Sequence, residues 1–529
     1  MIPGRTIVVF GLLPAAAPVL AQPPAPARDA PATLAVMSFQ ADPQLDPRDT
    51  WLPLAVEETL AWRLRRVPGL IVVPTVRIEQ ARRELVEGGV TADGRRIAQL
   101  LGARRILTGT CSGNPDAVVV ELKFGQLPLG GARASDAAAG EPTTVRLGPV
   151  RLFEALDEAT RWCLQQLGAS RLENERQQLI FARPAASSSA LEYYARALAA
   201  ARQDDPRSAR YYLEQVLDYD ARYLPAQVLL AQMEMAAESS RLSAAARIRA
   251  ARDLARQTGD TLTVAQIDLT QGLLLLLARS PDAARERFEN VLIASRRNGD
   301  PYGELAAMNS LCDSSLARLP PSEGLSELQR EEFAKDSLKA AAQWQTQALQ
   351  RLEALGDVVS QGPAATKLAM ICERLEDFDQ ALRLHQRTVA LAQQIGAKRA
   401  EASAWLFVGQ THRRMKRFDE ALAALRRALS LAGDDDKLAV QMALAEALRA
   451  AGRPGDALSE LEAACDRLRR GSDLVGQLRC LRSIAELRME LGLRREAIDP
   501  LQQALDIAHV LALPDEQGIR EQLAAWGKP

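Results

Sequence analysis

The sequence predicts a small α/β domain followed by an all-α superhelical solenoid of about eight helical hairpins. Three observations carry this prediction. Ala209, Ala244, Ala284, Ala341, Ala381, Ala421, Ala457 and Ala497 recur mostly every 36 to 40 residues, as a small residue at a helix–helix crossing does in a repeat. Gly259, Gly299, Gly356 and Gly396 each lie fifteen positions after one of these alanines, where a left-handed residue ends a helix. The texture also changes along the chain. Up to about residue 168, short apolar runs alternate with turn residues, whereas the later sequence is crowded with Ala, Leu, Arg and Gln.

A chain of 529 residues is too long for one core. Aromatic residues are only 4%, which suits helices packed through small side chains. Lys plus Arg number 66 against 67 acidic residues, so no global field draws the protein to nucleic acid or an anionic membrane. At the N-terminus, Arg5 precedes an apolar run over 7–20 and a small-residue site at Val19, Leu20 and Ala21. This is the pattern of a signal peptide over 1–21, cleaved after Ala21. The rival, an uncleaved anchor, needs about 20 apolar residues, and this run is shorter and contains Pro14 and Pro18. Residues 22–32 form a Pro- and Ala-rich tether. The expected location is therefore periplasmic or secreted, with no transmembrane span after cleavage. Export permits disulfides, but Cys111, Cys163, Cys312, Cys372, Cys465 and Cys480 are scattered. Cys465 and Cys480 flank one helix-to-helix turn, and both a bridge and a pair of free buried thiols fit them.

The first domain spans 33–170. Leu34-Ala-Val-Met-Ser-Phe39 reads as a strand, 51–66 as a helix with Leu54, Leu60 and Leu64 on one side, and 70–73 as a buried strand. Short helices follow at 78–86 and 93–101, strands at 105–110 and 117–124, a Gly- and Ala-rich loop at 130–140, a strand at 143–147 and a helix at 152–167. The strand at 34–39, the blocks Leu60-Ala-Trp-Arg-Leu and Pro68-Gly-Leu-Ile-Val-Val73, and Leu100-Leu-Gly-Ala103 leading into Ile106-Leu-Thr-Gly109 resemble the N-terminal domain of TolB-like periplasmic proteins. The resemblance covers about a quarter of the chain. It implies a non-catalytic module that docks with envelope partners or senses something in the periplasm.

From 187 to the C-terminus the repeat sets the architecture. In its best copy, Trp405, Val408, Gly409, His412, Ala421, Leu425 and Ala428 occupy the pattern W-x2-L-G-x2-Y, A-x3-F-x2-A, which resembles the tetratricopeptide repeat (TPR) family, with His412 in place of Tyr. Gly272, Ala369, Gly409, Ala445 and Ala485 each stand twelve positions before the marker alanine of their hairpin, as the small residue of the first helix. The step from Ala284 to Ala341 is too long, which implies an inserted loop with a helical extension near 319–333. Residues 516–526 read as a C-terminal cap helix, and Ser187-Ser-Ser-Ala190 after Pro184 as a hinge and helix start.

Little in the sequence suggests chemistry. The three His residues, His385, His412 and His509, fit packing or hinge roles, and H-E-x-x-H, G-x-x-x-x-G-K and G-x-S-x-G are absent. Glu57 and Glu58 read as a surface pair, because sequence neighbours diverge by about 100° on a helix. The basic run from His412 to Arg417 reads as a solvated helix end. No catalytic, cofactor-binding or metal-binding residue is assigned. What remains is the groove face of the later repeats, which places Thr366, Met370, Glu373, Arg374, Leu406, Gln410, Arg413, Met442, Glu446, Arg449, Arg482 and Glu486 against a partner. The Lys and Asn set of the family's carboxylate clamp is missing from that face. The expected function is an exported scaffold or adaptor that holds peptide or helical segments of envelope proteins. Its rivals are a cytoplasmic TPR signalling regulator and an enzyme with an unrecognised site.

Overall fold

The period-two alternation of the first strands dictates a sheet covered on both faces. In a computed structural model, which describes residues 32–87, 93–127, 141–169, 171–183, 185–320, 326–471 and 473–526, the first domain has six strands. They are β1 (Ala32–Val36), β2 (Gln40–Ala41), β3 (Leu70–Val72), β4 (Arg105–Asn114), β5 (Ala117–Gln126) and β6 (Thr143–Val150). The order is β3-β1-β4-β5-β6, with β2 pairing β4 beyond β1. Strand β1 is parallel to β3 and β4, and the β4–β5 and β5–β6 pairs are antiparallel. Helices α1 (Leu52–Leu64), α2 (Thr75–Glu87), α3 (Gly94–Leu100) and α4 (Leu152–Gln166) complete the layers. Leu34, Val36 and Val72 face α1 and α4, packing with Val56, Leu60 and Leu156. Ala35, Ile71 and Val73 point the other way, onto Ile78, Leu85 and Ile97 of α2 and α3. Such alternation follows from successive strand side chains taking opposite faces. The expected signal peptide, the tether up to residue 31 and the loop at 130–140 lie outside the described residues, and Ala32, expected at the end of the tether, opens β1.

One helix was not foreseen. α5 (Asn174–Ile180) fills what the sequence left as a connection, and its Ile180 is fully buried.

Among the described residues, eight helical pairs follow. They are α6 (Ser188–Arg202) with α7 (Pro206–Tyr219), α8 (Leu224–Met235) with α9 (Arg241–Gln257), α10 (Thr261–Leu277) with α11 (Pro281–Asn298), and α12 (Pro301–Ala317) with α13 (Glu327–Leu355). The later four are α14 (Val358–Arg374) with α15 (Phe378–Ile395), α16 (Lys398–Arg414) with α17 (Phe418–Leu431), α18 (Asp434–Ala450) with α19 (Pro454–Arg470), and α20 (Leu474–Glu490) with α21 (Arg494–Val510). α22 (Glu516–Trp526) closes the stack by burying Ile519. The small-residue positions are needed sterically. A Cβ on Gly409 would sit 2.5 Å from Leu425 Cγ, and one on Gly272 would lie 2.3 Å from the Phe288 ring. The long step is α13, 29 residues opened by a capping box between Ser326 and Gln329; Pro321 and residues 322–325 lie outside the described residues.

Two rows of left-handed residues set the turns. Gly259, Gly299, Gly356 and Gly396 close second helices with φ between 64° and 81°, as the sequence predicts. Asp204, Arg279, Glu376, Lys416, Gly452 and Gly492 play the same part between the two helices of a hairpin. Only two of these six are glycine, so composition did not mark them. Cys465 and Cys480 are both free thiols, and burial pushes the Cys480 thiol up to about 12.

The sheet domain does not hang from a hinge. Ser187 caps α6 by accepting from the Ala190 N–H, as expected of a helix start. Yet the core under α1 and α4 runs on into Leu191, Leu213 and Tyr223, and the core under α2 and α3 runs on into Phe288, Leu305 and Leu355. Four of the polar contacts fall on the turns that join one hairpin to the next or beside them. Arg66 pairs with Asp260, and Arg65 reaches Asp300 at 3.2 Å. Leu101 bridges Asp357, and Arg96 donates to the Ile395 carbonyl at 3.0 Å. The tightest point is Gly102, whose added Cβ would lie 1.8 Å from the Leu355 carbonyl oxygen.

Gly102 and Gly69 share a φ of +72°, but nothing lies within 4 Å of a Cβ on Gly69. Gly69→Ala is therefore expected to cost about 1 kcal/mol for the left-handed backbone alone. Gly102→Ala is expected to cost about 3 kcal/mol or more, because it also forces the domain off the array. Urea denaturation of the two variants checks this; equal losses would mean that the contact at Leu355 is not formed.

Candidate functional sites

The first helices of the later hairpins present the groove face named from the sequence, and the structure sorts its residues. Gln410, Met442 and Glu446 come together with Asp435, Leu438 and Arg479 around a hollow of about 270 Å³. Arg413 pairs with Glu446 at 3.2 Å, Arg482 with Asp515 at 3.0 Å, and Arg449 with Glu490. The Arg413 and Arg449 pairs link successive hairpins and the Arg482 pair links α20 to the turn before α22, so these charges are matched within the array. Met370 is half exposed and Arg374 exposed, while Leu406 and Glu486 are half-buried.

Two of the named residues turn away from the groove. Thr366 Oγ1 lies 3.4 Å from Thr388 Oγ1 on the partner helix α15. Glu373 accepts from Thr411 Oγ1 at 2.5 Å and Arg414 Nη1 at 2.8 Å, and sits 3.6 Å from His385 Nε2. His385 is fully buried and stacks on Phe407, as the packing role requires. Glu373 thus ties two hairpins together.

Sequence reasoning missed a second concavity. Where α1 and α2 face α6, α8 and the start of α10, a cleft of about 1070 Å³ opens between the sheet domain and the first three hairpins. Its floor corrects the reading of Glu57 and Glu58 as a surface pair. Glu57 is only 2% exposed, enclosed between the backbone at Phe39 and Arg202 of α6. Glu57 Oε2 accepts the Phe39 N–H at 3.0 Å, and its Oε1 lies 3.2 Å from Arg202 Nη2. Glu58 lies 2.8 Å from the same guanidinium, and Glu79, bonded to Ser38, lies 3.9 Å away. Burial pushes the Glu57 carboxyl up to about 7, against the pull of Arg202 and with the Glu58 charge adding to the rise. The sequence held no signal for this cluster, since Arg202 is separated from Glu57 by 145 residues.

Residues 361–434 match the Tetratricopeptide repeat family. No curated protein is detectably similar in sequence. Among solved structures, the chain is similar to a signal transduction ATPase with numerous domains that carries a tetratricopeptide repeat sensor, from Pyrococcus horikoshii. The identity is 12% and the TM-score 0.48, over 70% of this chain and 54% of that one. The chain therefore spans about half the length of that relative. It is also similar to the apo form of RapI (10% identity, TM-score 0.37, 64% and 95% covered) and to a tetratricopeptide repeat protein from Parabacteroides merdae (9%, 0.31, 65% and 100%). Among the described residues no helix is long and apolar enough to cross a membrane.

A carboxyl whose folded value lies above its unfolded one favours the protonated fold. Its contribution is fully present below the unfolded value near 4.5 and is lost as the pH rises through about 7. Unfolding free energy is therefore expected to fall by about 3 kcal/mol at most between pH 4.5 and 8 from this group. Glu57→Gln should flatten that fall, as read by urea midpoints across the range. An unchanged slope would mean that Glu57 is not buried beside Arg202.

Proposed function

We propose that this tetratricopeptide-repeat protein is an exported, non-catalytic scaffold that holds a helical or extended peptide segment of an envelope protein against α16, α18 and α20. The observation that carries this reading is the uncovered face of those helices around the hollow at Gln410, Met442 and Glu446. Among the described residues, the hydrogen bonds and ion pairs of the sheet domain reach no further along the array than Arg399. The early hairpins are thus faced by the chain's own domain, and the late ones are left for a partner. Helical grooves of this kind take peptides by laying apolar anchors into hollows and matching charges at the rim. Met370, Leu406 and Met442 supply the apolar part, and the Arg–Glu pairs supply exchangeable charge. The export-type N-terminus supports a periplasmic or secreted location, and the TolB-like blocks of the first domain support an envelope setting.

Cross-linked pull-down of full-length protein from its native host, with Gln410→Glu and Arg413→Glu combined, tests the groove. Loss of most of the captured envelope protein is expected, with the melting temperature unchanged. Full capture by the double variant would remove the groove from the proposal, and a reporter fusion active only in the cytoplasm would remove the export.

A further inference from the structure

The seam between the sheet domain and the array is tight in places and hollow between them. Two residues that line the hollow are locked in contacts across it. Asp260 of the array pairs with the buried Arg66, and Arg202 pairs with Glu58 of α1 while its carbonyl accepts from Arg83 of α2 at 2.9 Å. The cleft of about 1070 Å³ is thus held open by built contacts rather than left by loose docking. Its volume is at the upper end of what small-molecule sites use. Small side chains help to make the room, since Ala55 and Ala61 of α1 and Ala195 and Ala201 of α6 all line it. The lining runs from α2 across α6 and α8 to the start of α10, which suits an elongated occupant.

The wall is apolar. Leu54, Val73, Leu191, Leu198, Leu224 and Leu229 supply most of it. Tyr194 and Tyr223 stand edge to face, with ring centroids 5.0 Å apart. Burial pushes both phenols up, so both stay neutral. The charges favour neither sign, because five arginines and six carboxylates line the cleft. Arg202 lies between Glu58 and Glu79, Arg65 reaches Asp300, and Arg183 covers the Phe153 ring. Asp220 accepts the Ala186 N–H and Glu84 the Gln80 amide. Arg83 and Arg222 pair with no carboxylate among the described residues, but both are exposed to water. Arg66 already stands over the Trp62 ring, 3.6 Å from its centroid. A charged ligand would therefore lose hydration without meeting an unpaired buried charge, whereas a neutral one would lose little.

We infer that this cleft binds an uncharged compound with a chain-like apolar body and oxygen at one end, of the class of long-chain alcohols and monoacylglycerols. The body would lie along Leu198 and Leu229 and the oxygen beside Tyr194 and Tyr223. The site is separate from the peptide groove on α16, α18 and α20, and neither depends on the other. Because its walls come from both sides of the domain–array junction, a bound ligand adds contacts across it and should raise the thermal stability of the whole chain.

Isothermal titration of the full chain with hexan-1-ol, octan-1-ol, decan-1-ol, octylammonium chloride and sodium octanoate, each below its solubility or micellar limit, tests this. One-to-one binding of the alcohols is expected, with affinity rising about three- to fourfold per methylene. Octylammonium and octanoate should each bind about tenfold more weakly than octan-1-ol. Leu198 lines the cleft without belonging to the core beneath it, so Leu198→Trp should fill the space and weaken octan-1-ol by about tenfold or more. Arg222→Glu reverses a solvated charge and should leave octan-1-ol within about twofold. Either ion binding as tightly as octan-1-ol, an affinity independent of chain length, or undiminished binding in Leu198→Trp would overturn the assignment. The first two outcomes are read on the unaltered chain and decide the question even if Leu198→Trp does not fold.

Discussion

The structure depends on how little room there is where two helices of a hairpin cross. At Gly409 and Gly272 the facing side chains already occupy the space a methyl group would need, so the hairpin closes only around glycine or alanine. That closeness fixes the pitch of the array. It brings the joins between hairpins onto one edge at similar spacing, four of them turned by a left-handed glycine that an aspartate follows in three cases. The aspartates then do two things. Asp260 and Asp357 cap the next helix through their side chains. Asp300 makes no such bond, and its carboxylate is taken by Arg65 of the first domain.

A sheet domain seated along this edge is a part of the array rather than a passenger. Both of its helical layers continue into the hairpin cores, α1 and α4 toward the first pairs and α2 and α3 toward the middle ones. The buried pair of Arg66 and Asp260 ties the seam in a place where losing one partner would leave a charge without water. This arrangement divides the superhelix. Its early face becomes a junction with a cleft, and its late face stays open. The two candidate sites differ in kind for that reason: one is a deep pocket between dissimilar elements, the other a shallow groove on similar ones.

Periodic features were legible in the sequence and non-periodic ones were not. The marker alanines, the four left-handed glycines and the long α13 step could all be found, because a repeat multiplies each signal. The left-handed Asp204, Arg279, Glu376 and Lys416 were hidden, since the backbone there is forced by the hairpin and not chosen by glycine. Helical spacing groups Gln410, Met442 and Glu446, and in the structure the three line one hollow. Thr366 and Glu373 instead bond within the array, because a half-buried polar residue turns toward whatever partner the next helix offers. Glu57 and Glu58 show the deeper limit. On α1 alone they belong in water, yet Glu57 is buried between the Phe39 N–H and Arg202 of α6, and Glu58 is half-buried beside the same arginine. Contacts across more than a hundred residues leave no local trace.

The claim that the sheet domain and the array form a single body is tested most directly by native-state hydrogen exchange on the full chain. If the seam at Arg66, Gly102 and Arg202 is as tight as described, the amides of α1, β1 and β4 should open with those of α6, α8 and α10 in one cooperative unit of the same free energy. Exchange of the whole sheet domain at a free energy several kcal/mol below that of the hairpins would contradict it, and would restore a module tethered by a hinge.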